Sequence, residues 1–179
     1  MTLSQEIFNI LKKILNKKNV LLHEPIFYNN ELKYLKKCIN TKMVSSIGSY
    51  ADLFENKIAK FTGSKYAIAT VNGTSALHLA LILCEIKKND EVIIPALTFV
   101  ATASAVVNSG GIPHFVDSNE KNFGIDHISL RKYLEGITLM RDNKCFNKKT
   151  GRRIHSILPT HIFGHPCELK ELKKIAKDF

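Results

Sequence analysis

Asn72-Gly73-Thr74-Ser75 are the residues most able to do chemistry together, and the apolar run Ala76-Leu77-His78-Leu79-Ala80-Leu81 follows them at once. Residues 67–71 read as a short buried strand and residues 76–86 as a helix. A strand, a glycine turn and a helix N-terminus in that order make an anion site. The first turn of a helix carries unpaired backbone N–H groups and partial positive charge. Gly73 lets backbone approach a ligand closely, and Thr74 and Ser75 add hydroxyl donors. The group that fits is a phosphate. The same residues also make a plain polar helix cap, and the turn alone does not separate the two readings.

The elements that must position this turn come next in the chain. Glu91-Val92-Ile93-Ile94-Pro95 reads as a second strand, and residues 96–105 as a loop entering a helix. Ile112-Pro113-His114-Phe115-Val116-Asp117 reads as a third strand ending in a carboxylate, and residues 154–159 as a fourth. Strands alternating with helices imply an α/β fold, a mostly parallel sheet with flanking helices. In such sheets ligands bind beyond the carboxyl ends of the strands. Residues 72–75, residues 95–99 and Asp117 are all expected at that edge.

With these elements in place the chain resembles the DegT/StrS family of pyridoxal-phosphate-dependent sugar aminotransferases. The residues that carry the resemblance are His23-Glu24-Pro25, Val44-Ser45-Ser46, Asn72-Gly73-Thr74-Ser75-Ala76-Leu77-His78, Pro95-Ala96-Leu97-Thr98-Phe99-Val100-Ala101-Thr102, His114-Phe115-Val116-Asp117 and His161-Ile162-Phe163-Gly164-His165-Pro166. They run through most of the chain in the family order. Residues 147–154, Asn147-Lys148-Lys149-Thr150-Gly151-Arg152-Arg153-Ile154, look like the branch that aminates UDP-linked 4-keto sugars toward legionaminic-acid-type sugars.

The resemblance implies the N-terminal part of the large domain of a fold-type I aminotransferase, with pyridoxal 5'-phosphate as cofactor. It implies that Gly73, Thr74 and Ser75 hold the cofactor phosphate and that Phe99 stacks on the pyridine ring. A flat apolar face fixes a ring plane; without the resemblance, Phe99 reads rather as an ordinary core aromatic. His161 is expected near the cofactor ring or the substrate, with a satisfied structural histidine as the competing reading. Asp117 is read as a strand-end cap rather than a catalytic group. Ser45 and Ser46 fall where the family places the mouth of the active site, or in a plain polar turn.

A pyridoxal transaminase also needs a lysine for the Schiff base and a carboxylate beside the pyridine nitrogen. In the family both come after the segment matching His161 to Pro166, the carboxylate in an Asp-Ala-Ala-Glu/Gln motif. Neither motif occurs in these 179 residues, and no lysine, Lys65 included, sits in a matching context. The chain is therefore expected to supply the phosphate cup and one ring face but not the catalytic base, and not to transaminate alone. The full enzyme is expected to take a nucleotide-sugar substrate and an amino donor and to act as a homodimer, or to pair with a C-terminal half if split. Two other functions compete. One is a non-catalytic or split-partner cofactor-binding module. The other is a Rossmann-type nucleotide-binding domain, against which the turn lacks G-x-G-x-x-G.

Composition bounds the rest. Hydrophobic residues make up 45% of the chain, enough for a packed core. The domain reading is residues 1–20 as an N-terminal helix and 21–179 as an incomplete cofactor-binding domain. Net charge is +10, from 26 Lys+Arg against 16 Asp+Glu. The lysines are dispersed, with Lys12, Lys13, Lys17 and Lys18 on one amphipathic helix and Lys170, Lys173, Lys174 and Lys177 on another. That pattern favours solvated helix faces over nucleic-acid binding. Cys38, Cys84, Cys145 and Cys167 have no metal-ligand spacing, and no metal is expected. Cys84 is read as buried on an apolar helix, and reduced thiols fit a cytoplasmic protein. Lys12 and Lys13 interrupt the first apolar run, against a signal peptide. The uncharged stretch from Val92 to Val116 is broken by Pro95, Gly110, Gly111 and Pro113, against a membrane span.

Helix starts are marked by Thr2 with Gln5, by Asn30, by Ser49 with Asp52, and by Asp126. The first helix is expected over residues 3–16. Gly63 and Gly136 are expected to end helices. Residues 141–153 read as a basic hairpin or loop and residues 168–177 as the last helix.

Overall fold

The computed structural model describes residues 2–15 and 24–179. His23, Lys17, Lys18 and the expected end of the first helix at Asn16 lie outside the described residues. The chain divides into two compact units, Met1–Ala67 and Ile68–Phe179.

The first unit is helical. Helix α1 spans Leu3–Leu15, and the Thr2 N–H donates to Gln5 Oε1 at 2.9 Å, one half of the expected capping box. Helix α2 spans Glu31–Asn40 with Asn30 at its N-cap, but the Asn30 side chain makes no cap bond. Glu31 Oε2 instead accepts from the Asn29 N–H at 2.8 Å. Helix α3 spans Ser49–Thr62. Its N-cap is Gly48, so Ser49 is the first helical residue rather than the cap. Gly63 ends the helix as expected, at φ 72°, the left-handed conformation that glycine adopts without penalty.

The second unit is α/β. Three parallel strands, β1 (Glu91–Pro95), β2 (Ile112–Val116) and β5 (Ile154–Ile157), lie in the order β2-β1-β5. Helices α4 (Gly73–Leu83) and α5 (Val100–Asn108) pack on one face. Helices α6 (His127–Ile137) and α7 (Leu169–Asp178) pack on the other. The central strand shows why. Val92 and Ile94 join Leu81, Ala105 and Val106 in one cluster. Ile93 joins Val116, Leu130, Leu134, Leu172 and Ile175 in the other. Alternate side chains leave opposite faces of a strand, and burial on both sides requires the unbroken apolar run that β1 carries. Each fully buried aliphatic side chain contributes roughly 1.5–3 kcal/mol.

Between α6 and β5 lies an antiparallel hairpin, β3 (Thr138–Arg141) and β4 (Lys144–Asn147). The segment expected over 141–153 as a hairpin or loop is thus both, a hairpin over residues 138–147 and a loop from 148 into β5. The hairpin's two-residue turn is Asp142-Asn143, with φ 49° and 56°. Positive φ at both positions matches the twist of the flanking strands.

Several expectations are corrected. Residues 67–71 form no strand, and Ile68 and Val71 are 75% and 88% exposed. A strand needs a lateral neighbour, and the described sheet places none beside this run. Helix α4 opens at Gly73 and closes at Leu83, earlier at both ends than expected. Cys84 therefore sits at the C-cap and is exposed, not buried. Helix α6 continues through Gly136 to Ile137 and ends where Thr138 Oγ1 donates to the Leu134 carbonyl at 2.7 Å. Strand β2 ends at Val116, one residue before Asp117. The fourth strand of the sequence reading, expected over 154–159, stops at Ile157.

Candidate functional site

The carboxyl edge of the sheet gathers the loops that sequence reasoning singled out. Strand β1 leaves through Pro95 into residues 96–99, and β5 leaves into residues 158–161. The two exits are tied together. Thr98 Oγ1 lies 3.2 Å from Thr160 Oγ1 and 2.9 Å from Thr102 Oγ1 on the first turn of α5. Phe99 follows Thr98 and is the N-cap of α5, and His161 follows Thr160. The hydroxyl contact therefore brings the Phe99 and His161 loops to one edge.

Helix α4 starts at that edge too. A Cβ added to Gly111, before β2, would lie 3.1 Å from Val106 Cγ1, 3.2 Å from Ile86 Cγ2 and 3.2 Å from the Asp90 carbonyl oxygen. Ile86 follows α4, Val106 is near the end of α5, and Asp90 precedes β1. The C-terminal ends of both helices therefore meet at the amino edge. At ~1.5 Å per residue the 11 residues of α4 reach back about 16 Å, toward the carboxyl edge.

The first turn of α4 has the donors an anion needs. Asn72 Oδ1 accepts from the Ser75 N–H at 2.8 Å, and the Ala76 N–H donates to the Asn72 carbonyl at 3.1 Å. The polar cap is thus present, and it engages Ser75. The N–H groups of Gly73 and Thr74, and the hydroxyls of Thr74 and Ser75, make no hydrogen bond among the described residues. No acidic residue occupies this turn. A Cβ on Gly73 would meet nothing within 4 Å, so the space over the turn is open. Two open amides and two hydroxyls at a positive helix end fit a phosphate group. Phe99 is 76% exposed at the same edge, so the structure does not use it as a core aromatic.

His161 is exposed, yet its ring is engaged. Nδ1 accepts from the Cys167 backbone N–H at 3.1 Å and lies 3.3 Å from Cys167 Sγ. Asp117 is exposed and its carboxylate accepts from the Ser118 N–H at 2.9 Å, which is a local turn. Ser45 and Ser46 lie in the first unit, where Ser45 Oγ donates to the Ile47 carbonyl at 3.4 Å.

Sequence reasoning missed the Thr98, Thr102 and Thr160 contact, the Cys167 contact to His161, and a polar cluster at the opposite edge. There Glu91, buried at the start of β1, accepts from Thr150 Oγ1 at 2.6 Å, from Asn147 Nδ2 at 3.0 Å and from His114 Nδ1 at 2.7 Å. His114 Nε2 lies 3.0 Å from the Tyr133 hydroxyl. Burial pushes the Glu91 carboxyl up, but the Thr150, Asn147 and His114 hydrogen bonds outweigh it and hold it below its ordinary value. The available signal was an acid opening an apolar strand, with a polar turn 56 to 59 residues later to receive it. Among the described residues no group of three or more His, Cys, Asp or Glu is placed to hold a metal, and no helix is long and apolar enough to cross a membrane.

A profile of the DegT/DnrJ/EryC1/StrS aminotransferase family matches residues 25–179. GDP-perosamine synthase of Escherichia coli O157:H7 is 31% identical over 160 residues, 89% of this chain and 40% of that protein. An aminotransferase from Psychrobacter cryohalolentis, solved by X-ray, superposes with a TM-score of 0.71 at 29% identity, over 89% of this chain and 36% of that one. The Escherichia coli GDP-4-keto-6-deoxy-D-mannose-3-dehydratase with bound hydrated pyridoxal phosphate gives 0.68 at 26% identity, over 88% of this chain and 38% of that one. The chain spans about two fifths of the length of these relatives.

Proposed function

The chain belongs to the DegT/DnrJ/EryC1/StrS aminotransferase family, and on that premise we propose that residues 21–179 are the N-terminal, cofactor-cradling part of a pyridoxal-phosphate-dependent aminotransferase acting on a 4-keto nucleotide sugar. The observation that carries this reading is the first turn of α4, with open donors and no acid. Gly73, Thr74 and Ser75 hold the cofactor phosphate, Phe99 offers its exposed face to the pyridine ring, and His161 approaches the ring or the substrate. When bound, the cofactor supplies an electron sink for moving an amino group. The tasks of this chain are to seat the phosphate, set the ring plane and present polar groups at the sheet edge.

In the whole enzyme the amino group comes from glutamate and goes to a sugar 4-ketone, in surface-polysaccharide or nonulosonic-acid sugar biosynthesis in the cytoplasm, with the active site at a homodimer interface. The relative named GDP-perosamine synthase supports a nucleotide-linked sugar, and the net charge of +10 suits phosphorylated ligands. The 179 residues contain neither the ring-nitrogen carboxylate motif nor a lysine in the matching context, so this chain alone binds without turnover.

A second reading, a cofactor-binding module completed by another polypeptide segment, is favoured by one observation. Ile68 and Val71 are 75% and 88% exposed, and a covering segment would bury both side chains.

Equilibrium dialysis tests the cofactor reading. Pyridoxamine 5'-phosphate is the suitable probe, because an amine cannot form imines with surface lysines. Saturable binding, displaced by excess inorganic phosphate, is expected. Saturable NAD binding with none of the pyridoxamine phosphate would instead favour a nucleotide-binding domain.

A further inference from the structure

The contacts of His161 fix which of its nitrogens carries the proton. The Cys167 backbone N–H can only donate, so Nδ1 at 3.1 Å must offer its lone pair. In the neutral ring the hydrogen then sits on Nε2. We propose that Cys167 is a positioning residue that holds His161 as an Nε2–H donor at the carboxyl edge, for an oxygen acceptor on the bound ligand. This rests on the reading of that edge as the pyridoxal phosphate site.

Both sides of the contact are anchored. Cys167 is 6% exposed and belongs to the cluster of Ile125, Leu172 and Ile175. A Cβ on Gly124 would lie 2.7 Å from Cys167 Cβ, so the glycine is what lets Cys167 sit so close. Burial pushes the Cys167 thiol up, so the Sγ 3.3 Å from Nδ1 is held as a neutral thiol beside the ring. Between the partners, Ile162–Gly164 form one turn of 3-10 helix, with the Gly164 N–H donating to the His161 carbonyl at 3.1 Å. Phe163, a non-glycine residue, adopts φ 51° there. Backbone strain of this kind persists where surrounding contacts over-determine it. On the other side of His161, Thr160 is held by Thr98. The imidazole is thus fixed from the residue before it and from six residues after it.

The polarity has a chemical consequence. A lone Nε2–H can donate to a phosphate, hydroxyl or carbonyl oxygen but cannot take a proton from one. The assigned role of His161 is therefore to orient a ligand oxygen, not to act as a general base.

Long-range proton–nitrogen NMR on the chain with labelled histidine tests this without ligand. The His161 signals are those lost in His161→Gln. A bare Nδ1 and a protonated Nε2 are expected, and a protonated Nδ1 or a tautomer mixture would overturn the inference. Affinity for pyridoxamine 5'-phosphate gives the second readout. The Gln amide reaches the Nε2 position and the Asn amide the Nδ1 position, so His161→Gln should bind within about threefold of the native chain and His161→Asn about tenfold weaker, the loss of one hydrogen bond. Equal binding by the two variants would overturn the donor role. Failure of the native chain to bind, with the tautomer as expected, would instead remove the cofactor reading and with it the ligand half of the inference.

Discussion

Thr98 and Thr160, 62 residues apart in sequence, meet through their hydroxyls at 3.2 Å and join the loop leaving β1 to the loop leaving β5. Phe99 and His161 are the next residues along each loop, so this contact sets where both stand. Thr160→Val is expected to cost about 1 kcal/mol of stability, the worth of one partly buried hydrogen bond, and to weaken pyridoxamine phosphate binding severalfold. Thr98→Val loses both bonds and should cost about 2 kcal/mol, and the double variant should be no worse than Thr98→Val alone, because Thr98 carries both partners. Denaturant melts and ligand titrations on the three variants check this. Additive losses would show that the contact does not couple the loops.

Gly73 separates a ligand site from a helix cap. Its Cβ position is open, so Gly73→Ala should leave stability within about 0.5 kcal/mol while reducing pyridoxamine phosphate affinity about tenfold, because the added methyl stands where the phosphate approaches. Asn72→Ala should cost about 1 kcal/mol of stability through the lost cap. Urea unfolding alongside the titration distinguishes the two effects.

The sheet, its strands at Glu91–Pro95 and Ile112–Val116, and the helices beside them were legible because each is a short apolar run bounded by glycine, proline or polar residues. The turn at Asn72 was legible because its residue types are specific. Residues 67–71 misled because an apolar run marks what is able to pair, while pairing depends on a neighbour elsewhere in the chain. Gly136 misled because an αL stop requires positive φ, and Thr138 supplies the cap instead. Cys167 and Glu91 were invisible as partners because their contacts depend on topology, and spacing carries no trace of a loop closing on itself.

Glu91 ties β1 to the hairpin turn through Thr150 and Asn147, and to β2 through His114. Its folded value lies below the ordinary carboxylate value of 4.5. The stability it contributes is therefore fully present above pH 4.5 and is lost as pH falls through the lower folded value. Glu91→Ala leaves His114, Asn147 and Thr150 without their acceptor and should cost about 3 kcal/mol at pH 7. The difference in urea midpoint between native and Glu91→Gln chains should be constant above pH 5 and shrink below about pH 4.5. A pH-independent difference would contradict a charged Glu91.

Gly124→Ala forces a methyl against Cys167 Cβ, at 2.7 Å from a side chain with no slack. About 1–3 kcal/mol of destabilisation is expected from overpacking, together with partial loss of the single His161 tautomer. Gly151→Ala, with open space around it but φ 70°, should cost about 1 kcal/mol and leave the His161 signal unchanged. Histidine NMR and thermal melts on the pair separate the local effect from general loss of stability.

The most direct test of the cofactor cup is a backbone amide NMR titration of this chain with pyridoxamine 5'-phosphate. The Gly73 and Thr74 amides are expected to show the largest shifts, saturating with the binding curve and reversed by inorganic phosphate. Saturable binding that leaves those two amides unmoved would contradict the cofactor cup.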